Sequence, residues 1–157
     1  MLAVRRLAAG DVPALAAIVS SLPDYFTEDV AGQVERDCAV HPGWVLAGAA
    51  GVTGFAVAAR RSPGAAEILW IAVGPAWRGR GAGTVLLDHL LGDLAAEGVS
   101  LVEAKTLDRS AGYRSYEATR AFWERRGFVQ VDMIDPLPGW EPGNPAAIYV
   151  AALRSTR

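Results

Sequence analysis

Apolar and polar positions alternate with two different periods along this chain, and the switches between them mark out its elements. A short first strand is predicted over Leu2–Leu7. Asp11 is placed to cap a helix running to about Ser20, with Pro13 tolerated in its first turn. The stretch "SLPDYF" breaks that helix. Thr27 is placed to cap a second one, with Glu28 and Asp29 near its positive end, and this helix runs out near His41-Pro42. The period then shortens. Trp44–Ala49 and Val52–Arg60 are β-rich runs joined at Ala50-Gly51, the pattern of a hairpin. Ser62-Pro63-Gly64 is a second turn, and Ala66–Val73 extends the meander by a third strand.

Helical spacing returns with Leu86, Leu87, Leu90, Leu91 and Leu94, with Asp88, His89 and Asp93 on the other side and Gly98 where a C-terminal cap glycine belongs. Ser100–Thr106 reads as a strand, and "SYEATRAFWERRGF" as a helix capped by Ser115 and stopped by Gly127. Phe128–Ile134 and Ala147–Leu153 are the closing strands, separated by the turn-rich "DPLPGWEPGNP", a surface loop of the kind that carries substrate contacts. This order predicts an α/β (α+β) fold, a mixed and not doubly wound sheet, in one domain spanning 1–157.

Composition narrows the class. Of 157 residues, 52% are hydrophobic and 20% charged, so the chain is no disordered segment. The net charge of −2 argues against a general polyanion or nucleic-acid binder, and any phosphate affinity must be local. Cys38 is the single cysteine, which rules out an internal disulfide and makes a reducing cytoplasm the expected setting. His41 lies close to it in sequence but at a helix run-out, a poor arrangement for a catalytic thiol. The opening residues are not expected to form a signal peptide, and no apolar run is long enough to span a bilayer.

The chemistry concentrates in "WRGRGAG", Trp77 to Gly83, set between the strand "EILWIAV" and the leucine-rich helix. Glycines just before a helix let several backbone N–H groups converge on one spot at its positive end, a seat for phosphate, and Arg78 and Arg80 add charge at the rim. No lysine follows Gly83, so the stretch is not a nucleoside-triphosphate loop. A dinucleotide fingerprint fails as well: its third glycine would fall on Thr84 or Leu86. Glu103 stands near the ribose-acid spacing of that fingerprint, but the motif normally opens a βαβ unit rather than following a meander.

The pattern that does fit is [Arg/Gln]-x-x-Gly-x-[Gly/Ala], met by Arg78, Gly81 and Gly83. With "IAVGP" before it and "FWERRGF" after it, the region from about Glu67 to Phe128 resembles the GCN5-related N-acetyltransferase (GNAT) superfamily. The resemblance implies a mostly antiparallel central sheet of about seven strands with about four helices. It also implies acetyl-CoA as cosubstrate, with no metal. Arg78, Gly79, Arg80, Gly81, Ala82, Gly83 and Thr84 would seat the pyrophosphate. The main chains of Ile71 and Val73 would pair with the pantetheine arm, which fits the binding of a thin amide-bearing chain to an open strand edge.

The general-base glutamate of similar histone acetyltransferases matches Glu67 in "AEI", and strict alternation puts Glu67, Leu69 and Ile71 on one face of the strand. Backbone N–H groups around Ile71 and Ala72 are the natural oxyanion donors. The departure from the family pattern is Trp123, where many members carry the tyrosine that protonates the leaving thiolate; an indole N–H is no usable acid. Tyr116, two helical turns earlier on roughly the same face, matches a position where relatives often carry an asparagine that touches the cofactor; it is a candidate substitute, and the alternative is a thiolate that leaves unassisted. The expected activity is acetyl transfer to a primary amine of a small molecule or peptide. Its alternative is a domain that senses acyl-CoA without turnover, and a homodimer stays open as an assembly. Asp24, Glu28 and Asp29 would suit a cationic amine.

Overall fold

The computed structural model describes residues 1–154; the last three residues of the predicted domain span, 155–157, lie outside the described residues. Its elements are β1 (Ala3–Arg6), α1 (Val12–Ser20), α2 (Val30–Val40), β2 (Gly43–Gly48), β3 (Gly51–Ser62), β4 (Ala65–Val73), α3 (Ala82–Ala96), β5 (Leu101–Leu107), α4 (Ser115–Arg125), β6 (Val129–Ile134) and β7 (Ala146–Ala152). The strands form one seven-stranded sheet in the order β1-β2-β3-β4-β5-β7-β6. All neighbours are antiparallel except β4 and β5, which are parallel and pair only from Ala65↔Leu101 to Ile68↔Ala104. Beyond Ile68 the two strands part, and no described strand pairs with that side of β4.

Two cores sandwich the sheet. On one face Leu86, Leu87, Leu90 and Leu94 of α3 and Trp123 of α4 pack against Trp44, Ala56, Ile68, Val102 and Tyr149. On the other, Leu15, Ile18 and Val19 of α1 and Val34 of α2 cover Val45, Phe55, Val57 and Ala72. Both long helices after the meander end as their glycines predict. Gly98 N donates to Ala95 O and Val99 N to Leu94 O; Gly127 N donates to Glu124 O and Phe128 N to Trp123 O. These pairs satisfy carbonyls that the last helical turn leaves free. Polar pins fix α4: the Tyr149 hydroxyl donates to Glu124, and the buried Arg120 donates to Leu107 O at the end of β5.

Two capping expectations are corrected. α2 begins at Val30 with Asp29 before it, and Thr27 spends its hydroxyl on the Asp29 carboxylate. Ser115 is the first residue of α4, not the residue before it, and neither helix has a side-chain cap.

The indole N–H of Trp44, fully buried, donates to Asp93 Oδ2 at 2.7 Å, joining β2 to α3. Asp93→Ala strands that donor and is expected to cost about 1–3 kcal/mol. Asp93→Asn, which keeps an acceptor oxygen, should cost less. Urea denaturation midpoints check both.

Candidate functional site

Strict alternation fails within β4. Val57 pairs with Trp70 and Ala58 with Ile68, so Leu69 is an extra residue, a β-bulge. The bulge reverses which residues face which core: Ala66 and Ile68 join the α3–α4 side before it, Ile71 and Val73 after it. Leu69, Trp70 and Ala72 join the α1–α2 side. Glu67, between Ala66 and Ile68, therefore shares a face with Trp70 and Ala72, not with Ile71. This corrects the alternation drawn from sequence.

Beyond the bulge, β4 runs free of β5 toward the glycine corner. Gly79 (φ +71°) and Gly81 (φ +77°) both lie in the left-handed region, so here glycine answers to backbone conformation. Gly81 immediately precedes α3, and the first intrahelical bond runs from Val85 N to Gly81 O. That leaves the N–H groups of Ala82, Gly83 and Thr84 without intrahelical acceptors at the positive end of a 15-residue helix whose first turn holds no acid. Gly83 is different: its φ is ordinary, and a Cβ added there would lie 3.5 Å from Phe122. It faces a cavity of about 420 Å³ that the corner shares with Ile71, Val73, Thr119, Phe122 and Arg125. An anion seated there meets free amides and, from α4, the Arg125 side chain.

The two arginines of the corner divide. The Arg78 guanidinium lies 4.4 Å over the Tyr25 ring and donates to its hydroxyl at 2.8 Å, whereas Arg80 sits 5.6 Å over Trp77 and does not line the cavity. Tyr25 in turn donates to Ser115 O at 3.0 Å, and Tyr116 donates to Tyr25 O at 2.8 Å. The α1–α2 connection is thus tied to the start of α4 across the parting of β4 and β5. Burial, before the neighbouring Tyr25 and Tyr113, pushes the Tyr116 hydroxyl up, so it stays protonated through the neutral range.

A second cavity, about 760 Å³, opens on the α1–α2 side. It shares Ile71, Ala72, Arg78, Thr119 and Trp123 with the first, so the two meet at a neck beside the bulge. Trp123, 4% exposed, packs between Phe122 and Phe128 and presents its remaining surface to that neck. Tyr116 lines the second cavity rather than the first. So does Glu67, whose Oε1 accepts from Arg61 at 2.7 and 3.1 Å while Oε2 lies 3.3 Å from Lys105 Nζ. Lys105 also reaches Glu103, at 3.2 Å, so Glu103 belongs to an ion-pair chain across the sheet.

Sequence reasoning missed the α4 wall (Thr119, Phe122, Arg125) and, in the larger cavity, Trp70, Asp37 and Trp140. The helical spacing of the first three was visible, but which element they oppose is a matter of tertiary packing. Asp29 lines the larger cavity, whereas Asp24 and Glu28 do not. Among the described residues no helix is long and apolar enough to cross a membrane.

Comparison with known proteins places this geometry. A search of the curated proteins finds no match. Among solved structures, a GNAT-family acetyltransferase from Desulfovibrio desulfuricans superposes with a TM-score of 0.82 at 25% identity, over 98% of this chain and 100% of its own. The ribosomal-protein-S18-alanine N-acetyltransferase of Escherichia coli does so with a TM-score of 0.80 at 20% identity, over 100% and 97%. A GNAT acetyltransferase from Elizabethkingia anophelis with acetyl-CoA bound gives a TM-score of 0.75 at 15% identity, over 97% and 98%. The family model for the acetyltransferase (GNAT) domain matches residues 39–130, from the end of α2 into β6. With more than half its length inside that match, the chain belongs to the GNAT acetyltransferase family.

Proposed function

We propose that this single domain is an acetyl-CoA-dependent N-acetyltransferase acting on a primary amine. One observation carries the reading: free amides at the α3 start, an unpaired β4 edge and a second cavity line up in series, meeting at the neck. The diphosphate of coenzyme A takes the amides of Ala82, Gly83 and Thr84, with Arg125 nearby. The pantetheine arm lies against Ile71 and Val73 as a pseudo-strand in the gap left by β5. The thioester then reaches the neck, and the acceptor enters from the larger cavity.

There the amine nitrogen bonds to the thioester carbonyl carbon, backbone N–H groups near Ile71 and Ala72 steady the oxyanion, and the C–S bond breaks to release thiolate. Glu67 takes the amine proton. Its two oxygens are already held by Arg61 and Lys105, so the proton arrives through water. Tyr116 can return a proton to the thiolate once its bond to Tyr25 O opens.

The competing reading, a domain that binds acyl-CoA without turnover, draws on that same engagement: Glu67 and Tyr116 are both occupied, and Trp123 supplies no acid. Free-thiol release from acetyl-CoA over a panel of primary amines separates the two. Release above the hydrolysis background with any amine supports the transferase. Coenzyme A binding by calorimetry with no release across the panel supports the sensor.

A further inference from the structure

The larger cavity carries a charge pattern that acetyl transfer by itself does not require. α2 turns one face to it, with Asp29, Gln33 and Asp37 recurring every fourth residue, and all three line it. Trp70 and Phe26 line it as well, edge-on with ring centroids 6.2 Å apart, and the β6–β7 loop adds Trp140 and Glu141. Asp37 Oδ2 accepts from the Trp70 indole at 2.7 Å, which fixes a half-buried carboxylate at the rim of an aromatic ring. Its other oxygen has no hydrogen-bond partner among the described residues. Asp29 accepts from Thr27, which more than any other neighbour holds its carboxyl below the usual range, and from Gln33.

The cations that line the cavity are committed elsewhere. Lys105 lies between Glu67 and Glu103, and Arg78 sits on Tyr25 at the neck. The exposed Arg36 acts on Asp29 only at longer range. Among the described residues, Asp29, Asp37 and Glu141 form no salt bridge.

Carboxylates beside aromatic rings in one cavity are a receptor for ammonium or guanidinium. The nitrogen that attacks the thioester cannot be the group they hold, because it must shed its proton and its charge to react. The stripe is also too long for one ammonium: from Asp29 to Asp37 the helix rises about 12 Å. We propose that the acceptor is at least a dication. Besides the nitrogen that is acetylated, it carries a second ammonium or guanidinium that docks between the α2 carboxylates and the rings of Trp70 and Trp140. This inference rests on the transferase reading for its reaction, but its charge recognition can be tested by binding alone.

The test compares matched pairs, diaminobutane against butylamine and diaminooctane against octylamine, in turnover and in calorimetric titration of the coenzyme A-loaded protein. At least one diamine should show a KM, or a Kd, at least about tenfold below that of its monoamine, the scale of one charge-assisted hydrogen bond. Asp37→Asn keeps an oxygen for the Trp70 indole, so fold and coenzyme A affinity should persist. It should raise the diamine's KM toward that of the monoamine and change the monoamine's KM by much less. Equal constants within both pairs, or an Asp37→Asn effect common to diamine and monoamine, would overturn the proposal. Selective diamine binding that Asp37→Asn removes, with no amine acetylated, would overturn the transferase reading and leave the charge inference standing.

Discussion

Gly83→Val is expected to abolish coenzyme A binding in a protein that still folds. Gly79 and Gly81 do not offer so clean an experiment. Both sit at positive φ, where a β-branched side chain is strongly disfavoured, so a valine there would deform the corner itself. Gly83 is the second residue of α3, in ordinary helical conformation, and helices prefer alanine to glycine by about 1 kcal/mol. A Cβ at Gly83 meets only the Phe122 ring edge, at ordinary contact distance. Nothing in the fold therefore asks for glycine at this position; the open space of the cofactor cavity in front of it does. A valine would fill the approach to its own amide and to those of Ala82 and Thr84. Losing two or more charge-assisted bonds to a diphosphate should weaken coenzyme A by at least about 100-fold. Gly83→Ala should give the intermediate case, a slightly higher melting temperature with weaker binding. Calorimetric titration with coenzyme A, beside a thermal melt of the unliganded variants, checks both halves. Wild-type affinity in a folded Gly83→Val protein would remove the corner from the cofactor site.

The two blocks that carried the family resemblance were legible because their meaning is local. A glycine corner between a strand and an amphipathic helix brings its own amides with it, and Gly98 and Gly127 end their helices through bonds to residues a few positions back. The bulge at Leu69 was not legible. No glycine or proline marks it, and it exists only because β3 and β4 slip by one residue between Val57 and Ala58. That slip decides where Glu67 points. The cap of α2 was misplaced for a related reason: Thr27, Asp29 and Gln33 satisfy one another, so the helix starts beyond the threonine. Least visible was the larger cavity, whose walls come from α2, β4, β5, α4 and the β6–β7 loop. "DPLPGWEPGNP" could be read as a loop, but that Trp140 lines one cavity with Trp70 and Asp37 follows from the return of β7 between β5 and β6.

Glu67→Gln tests the base more sharply than the sequence alone suggested, because the structure supplies a rival explanation for any loss. Glu67 is 7% exposed and anchors both Arg61 and Lys105. A glutamine keeps the shape and can still accept from Arg61, but it turns an amide toward the Lys105 ammonium, so the variant could lose activity by disturbing the cavity floor. The two causes separate by pH. If Glu67 takes the proton, turnover should fall by roughly 10²–10⁴-fold near neutrality, with acetyl-CoA affinity nearly unchanged. An aliphatic ammonium titrates at about 10, so each step up in pH supplies more neutral amine from solvent and makes the base less necessary. The deficit should therefore shrink steadily from pH 6 to pH 9. A disturbed ion-pair chain predicts a deficit that does not shrink in step with the supply of neutral amine. A Lys105→Met variant gives the second reading: it breaks the chain but keeps the carboxylate, so its loss should be smaller and independent of pH. Wild-type rates for Glu67→Gln across the range would make Glu67 an anchor for Arg61 and Lys105 only. A flat, deep loss shared with Lys105→Met would assign the effect to the cavity floor.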